Sequence, residues 1–379
     1  MNLKEKFVSF IDENEAELYK ILKELCLIPA PSGMEDERAE YCKNKLISFG
    51  AHGVYIDAAK NVIFPINADK SDKLTVIAAH TDTVFPDTEP MPYSDDGEII
   101  KCPGVGDDTA CVAVLLMVAK FLIENNVKAN DGLLIVCNSC EEGLGNLKGT
   151  RTLFSDFKGR IKQFVSYDVA RLNHVFDSCV GSVRYEVEVN TEGGHSWGAF
   201  GNKNAIYYLS RIVNSIYSLD VPEIEGERTT YNVGLIEGGT SVNTIAQNAK
   251  MLCEYRSTSS EALEIMKGKF FEIFDSVREM GVTVDVRVVG ERPSARGVDK
   301  REIDRLRELV SSAVKRVTGE SCSFSSASTD CNIPLSLGIP AICFGVYHGG
   351  GAHTRGEWLR KDSLPRGLEI ALETTFDLI

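Results

Sequence analysis

No apolar stretch in this 379-residue chain is long enough to span a bilayer. No polybasic run occurs either, and Lys plus Arg total 41 against 55 for Asp plus Glu, a net charge of −14. Nucleic acid and anionic membrane are therefore not expected partners. The opening MNLKEKFVSFIDENEAELYK lacks an apolar core followed by a small-residue cleavage site, so it is not expected to be a signal peptide. Internal repeats and low-complexity stretches are missing as well. The eleven cysteines are odd in number and sit in apolar contexts such as Cys111, Cys253 and Cys343. That argues against a disulfide framework and for reduced, buried thiols in a cytoplasm. Cys137-Asn-Ser-Cys140 has C-x-x-C spacing, but it ends the strand-like run GLLIVCN and runs into two glutamates. A redox C-x-x-C opens a helix, so this one reads differently.

What is present is a β/α alternation. The length favours two domains over one core. Residues 3–27 carry Phe7, Phe10, Ile11, Leu18, Ile21, Leu22 and Leu25 at helical spacing, ended by Pro29, Pro31 and Gly33. A second helix is expected over Glu35–Ser48, then strands near Val54–Ile56 and Val62–Ile66 and one ending at His80. A helix over Thr109–Asn125 and strands at Gly132–Cys137 and Phe164–Ser166 continue the pattern. This predicts an α/β fold, a mostly parallel sheet with helices on both faces. After residue 181 the pattern becomes strand, helix, two strands, helix, strand, beginning with the alternating RYEVEVN and ending near Val289. That βαββαβ order predicts an inserted α+β domain over 181–293, within a first domain formed by 1–180 and 294–379.

Five places gather polar groups at or just past predicted strand ends. His80 and Asp82 close the run KLTVIAAHTD; Asp107 and Asp108 sit in the glycine-rich CPGVGDDTAC; Glu141 and Glu142 follow GLLIVCNSC. Asp168 follows QFVSYD, and His353 lies in GGGAHTRGEW after AICFGV. Taken singly, each has an ordinary structural reading: a satisfied histidine, a solvated acidic pair, a helix cap. Taken together they converge on one edge of a parallel sheet, where α/β folds place their chemistry. Two imidazoles and several carboxylates make a hard-to-borderline metal site. GVGDDT lacks the third glycine of a dinucleotide fingerprint, and His353–Glu357 does not form H-E-x-x-H.

The ordered motifs HTDTV, GVGDD, CEEGLG, SYD and GAHTRGEW resemble those of the M20 family of co-catalytic zinc peptidases and deacylases. GGHSWG, GGTSVNTIA, EYRS and STDCNIPLSLGIPA extend the resemblance over nearly the whole chain. Within the family it looks closest to the peptidase T-like (tripeptide aminopeptidase) branch. The resemblance implies a zinc-exopeptidase-like catalytic domain with an inserted lid and dimerisation domain. It implies two Zn²⁺ per subunit, with Co²⁺ or Mn²⁺ as alternatives. His80 and Asp168 would hold one ion, Glu142 and His353 the other, with Asp107 bridging and a cis peptide after it. Asp82 would orient His80, and Glu141 would be the general base. His195 would stabilise the oxyanion, often across a homodimer built on the inserted domain. Asn243 and Arg256 would hold the substrate's backbone or terminal carboxylate, although Arg256 on a strand also suits a structural ion pair. Thr109 stands where many relatives have Lys. The implied activity is cytoplasmic hydrolysis of a small peptide from its amino end. The alternative on the same scaffold is N-acyl-amino-acid deacylation, or dipeptidase or carboxypeptidase action.

Overall fold

A computed structural model describes residues 3–379. The chain divides into two compact units. One takes the chain up to Cys179 and from Arg296 to Ile379; the other is Val180–Ala295.

The first unit is built on an eight-stranded sheet. Its centre is the fully buried strand Leu74–His80, which pairs in parallel with Gly132–Asn138 on one side and Ile161–Tyr167 on the other. Ala341–Phe344 continues the parallel set beside Ile161–Tyr167. Val62–Ile66 and His174–Cys179 join antiparallel at the two flanks, followed by the edge strands Tyr55–Ile56 and Ser323–Ala327. The next two strands of this sheet along the chain thus lie on opposite sides of Leu74–His80, which makes its C-terminal end a topological switch point. The runs LTVIAAH and GLLIVCN show no alternation because both faces of the sheet are covered. On one face lies Cys111–Glu124, apolar nearly all round and buried, packed with Leu3–Cys26, Lys300–Thr318 and Ser363–Leu378. Phe7, Phe10 and Phe376 meet Phe121 edge to face there, at 5.0–5.7 Å between centroids. On the other face Phe154, from helix Lys148–Asp156, packs on Phe164.

A second, four-stranded sheet sits in the same unit. Ser94–Asp95, Ile99–Lys101, Trp358–Arg360 and Gly349–Gly350 pair antiparallel in that order. These strands are too short for any periodicity to reveal. They join the segment before Asp107 to the two segments that flank His353.

The second unit has the expected βαββαβ order. Thr229–Gly238, Asn248–Ser257, Gly181–Asn190 and Thr283–Arg292 form an antiparallel sheet in that spatial order. Val183, Tyr185, Val187 and Val189 point inward on every second position and pack, with Met251, Cys253 and Tyr255, on helices Ala205–Tyr217 and Ser260–Arg278. Both helices start on side-chain caps: Ile206 N–H donates to Asn204, and Ala262 N–H donates to Ser259. A two-stranded ribbon, Gly194–His195 with Thr244–Ile245, completes the unit.

Candidate metal centre

The four parallel strands of the first unit end at His80, Asn138, Tyr167 and Phe344. Each is followed within a few residues by carboxylates or by the His353 loop. Three overlapping groups result, in each of which one donor atom per residue lies within 4.8 Å of the others. They are His80–Asp107–Asp168, Asp107–Glu142–His353 and His80–Glu141–Glu142. Asp107 belongs to two of them, and its two oxygens face opposite ways: Oδ1 lies 3.2 Å from His80 Nε2, Oδ2 3.0 Å from His353 Nε2. His353 Nε2 is also 3.1 Å from Glu142 Oε1. A cis peptide joins Asp107 to Asp108.

The loops are held by groups outside these donor sets. Both N–H groups of the Glu141–Glu142 turn donate to the buried Asp82 carboxylate, at 2.9 Å each, and Ser32 Oγ donates to it at 2.6 Å. Asp82 therefore grips the turn that carries both glutamates. Its contact with His80 runs mainly through the backbone: His80 Nδ1 is 3.1 Å from Asp82 O and 3.5 Å from Asp82 Oδ1. A hydrogen bond from Nδ1–H to that carbonyl leaves Nε2 as the lone-pair nitrogen facing Asp107. The Asp108 carboxylate accepts the His80 N–H at 2.9 Å, so it fixes the strand end and does not cap the following helix, which starts at Cys111. Glu35, fully buried, accepts from Gly33 N–H and Cys140 N–H and steadies the same turn. Cys140 (φ 55°) and His353 (φ 63°) both occupy the left-handed region, disfavoured for side chains of their kind. Arg38 is buried behind the His80 strand and donates to the carbonyls of Leu25, Ile28 and Thr81 and to Thr109 Oγ1. Ser32, Glu35 and Arg38 have no sequence signal of their own, since each reads as an ordinary polar residue near a helix start.

The electrostatics are those of a cation site. Burial alone would lower the His80 pKa, but the Asp108, Asp107 and Asp82 carboxylates outweigh it and push it well up. Asp107 and Glu142 raise His353 to about 10. Burial, reinforced by Asp107 and Asp108, pushes the Asp168 carboxyl well above its ordinary range. Asp107 moves the other way: the adjacent His353 and His80 imidazoles outweigh its burial and hold it low. Excess carboxylate thus draws protons onto both imidazoles, in the place where positive charge is wanted. His80 Nε2 is buried and, despite its nearness to Asp107, makes no hydrogen bond of adequate geometry. A buried donor atom left without a partner, amid converging carboxylates, fits a bound divalent ion.

The remaining predicted site residues lie in the second unit. His195 Nδ1 accepts the N–H groups of Trp197 (3.2 Å) and Gly198 (3.3 Å), which places the ring proton on Nε2. Asn243 is its ribbon neighbour; its carbonyl accepts Ser196 N–H at 3.0 Å. Arg256 Nε and Nη2 form a two-pronged pair with Glu254, at 2.7 and 3.1 Å. All eleven cysteines are free, and Cys137 and Cys140 are both buried.

Comparison with known proteins agrees with this geometry. The chain aligns with the succinyl-diaminopimelate desuccinylase of Corynebacterium glutamicum at 24% identity, over 87% of this chain and 88% of that one. Among solved structures, a tripeptidase of Staphylococcus aureus superposes with a TM-score of 0.77 at 22% identity, covering 95% of this chain and 97% of that one. The aminopeptidase PepT of Bacillus cereus superposes with a TM-score of 0.75 at 22% identity, covering 95% and 98%. These two likenesses establish the fold. The model of Peptidase family M20/M25/M40 matches residues 76–376, a span that contains every donor described above. The chain belongs to that family, whose members hydrolyse peptide and amide bonds.

Proposed function

We propose that the chain is a two-metal aminopeptidase acting on short peptides, tripeptides foremost. The observation that carries this reading is Asp107, whose two carboxylate oxygens serve two separate donor sets beside the Glu141–Glu142 turn. His80 and Asp168 would hold one ion, Glu142 and His353 the other, and Asp107 both. Zinc suits this mixed imidazole and carboxylate set. When bound, such ions polarise the scissile carbonyl and make water acidic enough to attack at neutral pH.

The chain's own residues do the rest. Glu141 takes a proton from the attacking water and returns it to the leaving nitrogen. Asp82 and Ser32 keep Glu141 and Glu142 at fixed spacing, so one adjacent carboxylate serves the metal while the other moves the proton. His195, with its proton on Nε2, donates to the developing oxyanion. Asn243 and Arg256 serve the substrate's backbone and terminal carboxylate, Arg256 through Nη1, since Glu254 engages its other two nitrogens. The free, mostly buried cysteines support a cytoplasmic setting.

The likeness in fold to a tripeptidase and to PepT supports the amino-end preference. The sequence match to a desuccinylase favours a second reading, removal of an N-acyl group. A panel of free-amino and N-acetylated di-, tri- and tetrapeptides separates them. Tripeptides with a free amine are expected to be cleaved fastest; a preference for acylated substrates would replace the first reading with the second.

The second unit also supports a homodimer. Its edge strand Thr229–Gly238 exposes Leu235 and Ile236, and helix Ala205–Tyr217 exposes Tyr207 and Tyr217. A ten-residue edge strand with exposed apolar side chains is a template for pairing. Light scattering should give twice the chain mass for wild type and the single-chain mass for Ile236→Lys. A wild-type monomer at micromolar concentration would rule the dimer out.

A further inference from the structure

Glu357 lies outside every donor group, four residues beyond His353, and is 1% exposed. Its side chain does not approach solvent, yet both oxygens are engaged. Oε2 accepts the Gly104 N–H at 2.7 Å; Oε1 accepts the N–H groups of Gly106 at 2.9 Å and Asp107 at 2.8 Å. Three charge-assisted bonds converge on one carboxylate from a single loop. The glycines of that loop are dictated by the fit. Gly104 has φ +74°, and a Cβ at Gly106 would stand 2.5 Å from Tyr347 Oη. The loop that denied a dinucleotide reading is thus a cradle of N–H groups shaped around a protein carboxylate.

The neighbouring strands tie the same two segments together. Trp358, next to Glu357, pairs with Lys101 on one side and with Gly350 on the other. Asp107 and His353, which share the second donor set, are therefore carried by two loops clasped at one point. We infer that Glu357 is a positioning residue that couples Asp107 to His353 and so sets the affinity of both metal sites. It touches neither substrate nor the donor atoms, and acts only through the backbone of the Asp107 loop.

This inference rests on the two-metal reading, and its test separates the two. The full-length, metal-free protein is titrated with Co²⁺ by calorimetry, comparing wild type with Glu357→Gln, Glu357→Asp and Glu373→Gln. Glu373 is a buried carboxylate of the same unit, paired with Arg316 and in none of the donor groups. Glu357→Gln keeps an oxygen for Gly106 and Asp107 but sets an amide donor against Gly104 N–H. It is expected to weaken Co²⁺ binding about 10–100-fold, the range for partners that orient ligands. Glu357→Asp should recover part of that loss, and should serve alone if the glutamine variant does not fold. Glu373→Gln should bind Co²⁺ as wild type does, even if it lowers the unfolding midpoint as much. Wild-type affinity in Glu357→Gln, or equal losses in Glu373→Gln, would overturn the inference. A wild type that binds fewer than two ions refutes the two-metal reading instead. The coupling is then decided by amide exchange at Gly104, Gly106 and Asp107, expected to be about tenfold faster or more in Glu357→Gln. Unchanged exchange would overturn it.

Discussion

Glu141→Ala is expected to lower peptide turnover about 10²–10⁴-fold while leaving the metal content at the wild-type level. The size follows from what a positioned base contributes when water must lose a proton on attack and an amine must gain one on departure. The selectivity follows from the turn. Asp82 takes the backbone N–H groups of residues 141 and 142, not their side chains, so removing the Glu141 carboxylate leaves the grip on Glu142 intact. KM should change little, since the lost interaction matters in the transition state. The measurements are kcat and KM on the best tripeptide, with metal content by elemental analysis. Because Glu141 also stands within donor distance of His80 and Glu142, the metal count is the decisive part. Equal turnover in both proteins would remove Glu141 from the mechanism, and loss of an ion would reassign it as a ligand.

Asp107→Ala should have a wider effect, abolishing activity and metal binding together. It deletes a carboxylate whose two oxygens face His80 and His353 separately, whereas Asp168 occurs in a single donor set. The fall in affinity should exceed the roughly 10–100-fold typical of an orienting partner. It should also be felt at both ions. His80 and His353 would lose the carboxylate that draws protons to them, so both imidazoles should titrate at lower pH in the metal-free variant. Elemental analysis after dialysis against micromolar zinc, with histidine titration by NMR, checks both. Retention of one tightly held ion would mean that the two sets are independent and that Asp107 is not shared.

Much of the fold is legible in the chain, for identifiable reasons. LTVIAAH and GLLIVCN are apolar runs of strand length, and each stops at polar residues; burial on both faces produces such runs. RYEVEVN alternates because one face of its sheet meets helices and the other does not. The donors are legible because they follow those runs directly. The flanking strands are harder. HVFDSC and SFSSA carry polar residues at the sheet's margin, and SFSSA is nearly all small and hydroxylated. The short strands around Ile99–Lys101 and Trp358–Arg360 are placed by contacts distant in sequence, which no local pattern records. The supporting residues are hidden for a related reason. Arg38 looks like a solvent-facing position on a polar helix, yet it is buried on the carbonyl oxygens of Leu25, Ile28 and Thr81. Glu357 sits in a glycine-rich loop, where a carboxylate ordinarily meets water.

The strand Ala341–Phe344 is interior to its sheet, seated between Ile161–Tyr167 and His174–Cys179, although it comes late in the chain. During synthesis the second unit is complete once Ala295 has emerged. The sheet of the first unit then still has a gap with two open edges, and neither His353 nor Glu357 exists. The order of manufacture therefore runs against the order of the fold. The continuous unit can close while the discontinuous one waits for its last interior strand. Neither the Asp107–Glu142–His353 donor set nor the clasp on its loop can form until the segment carrying His353 and Glu357 has also left the ribosome.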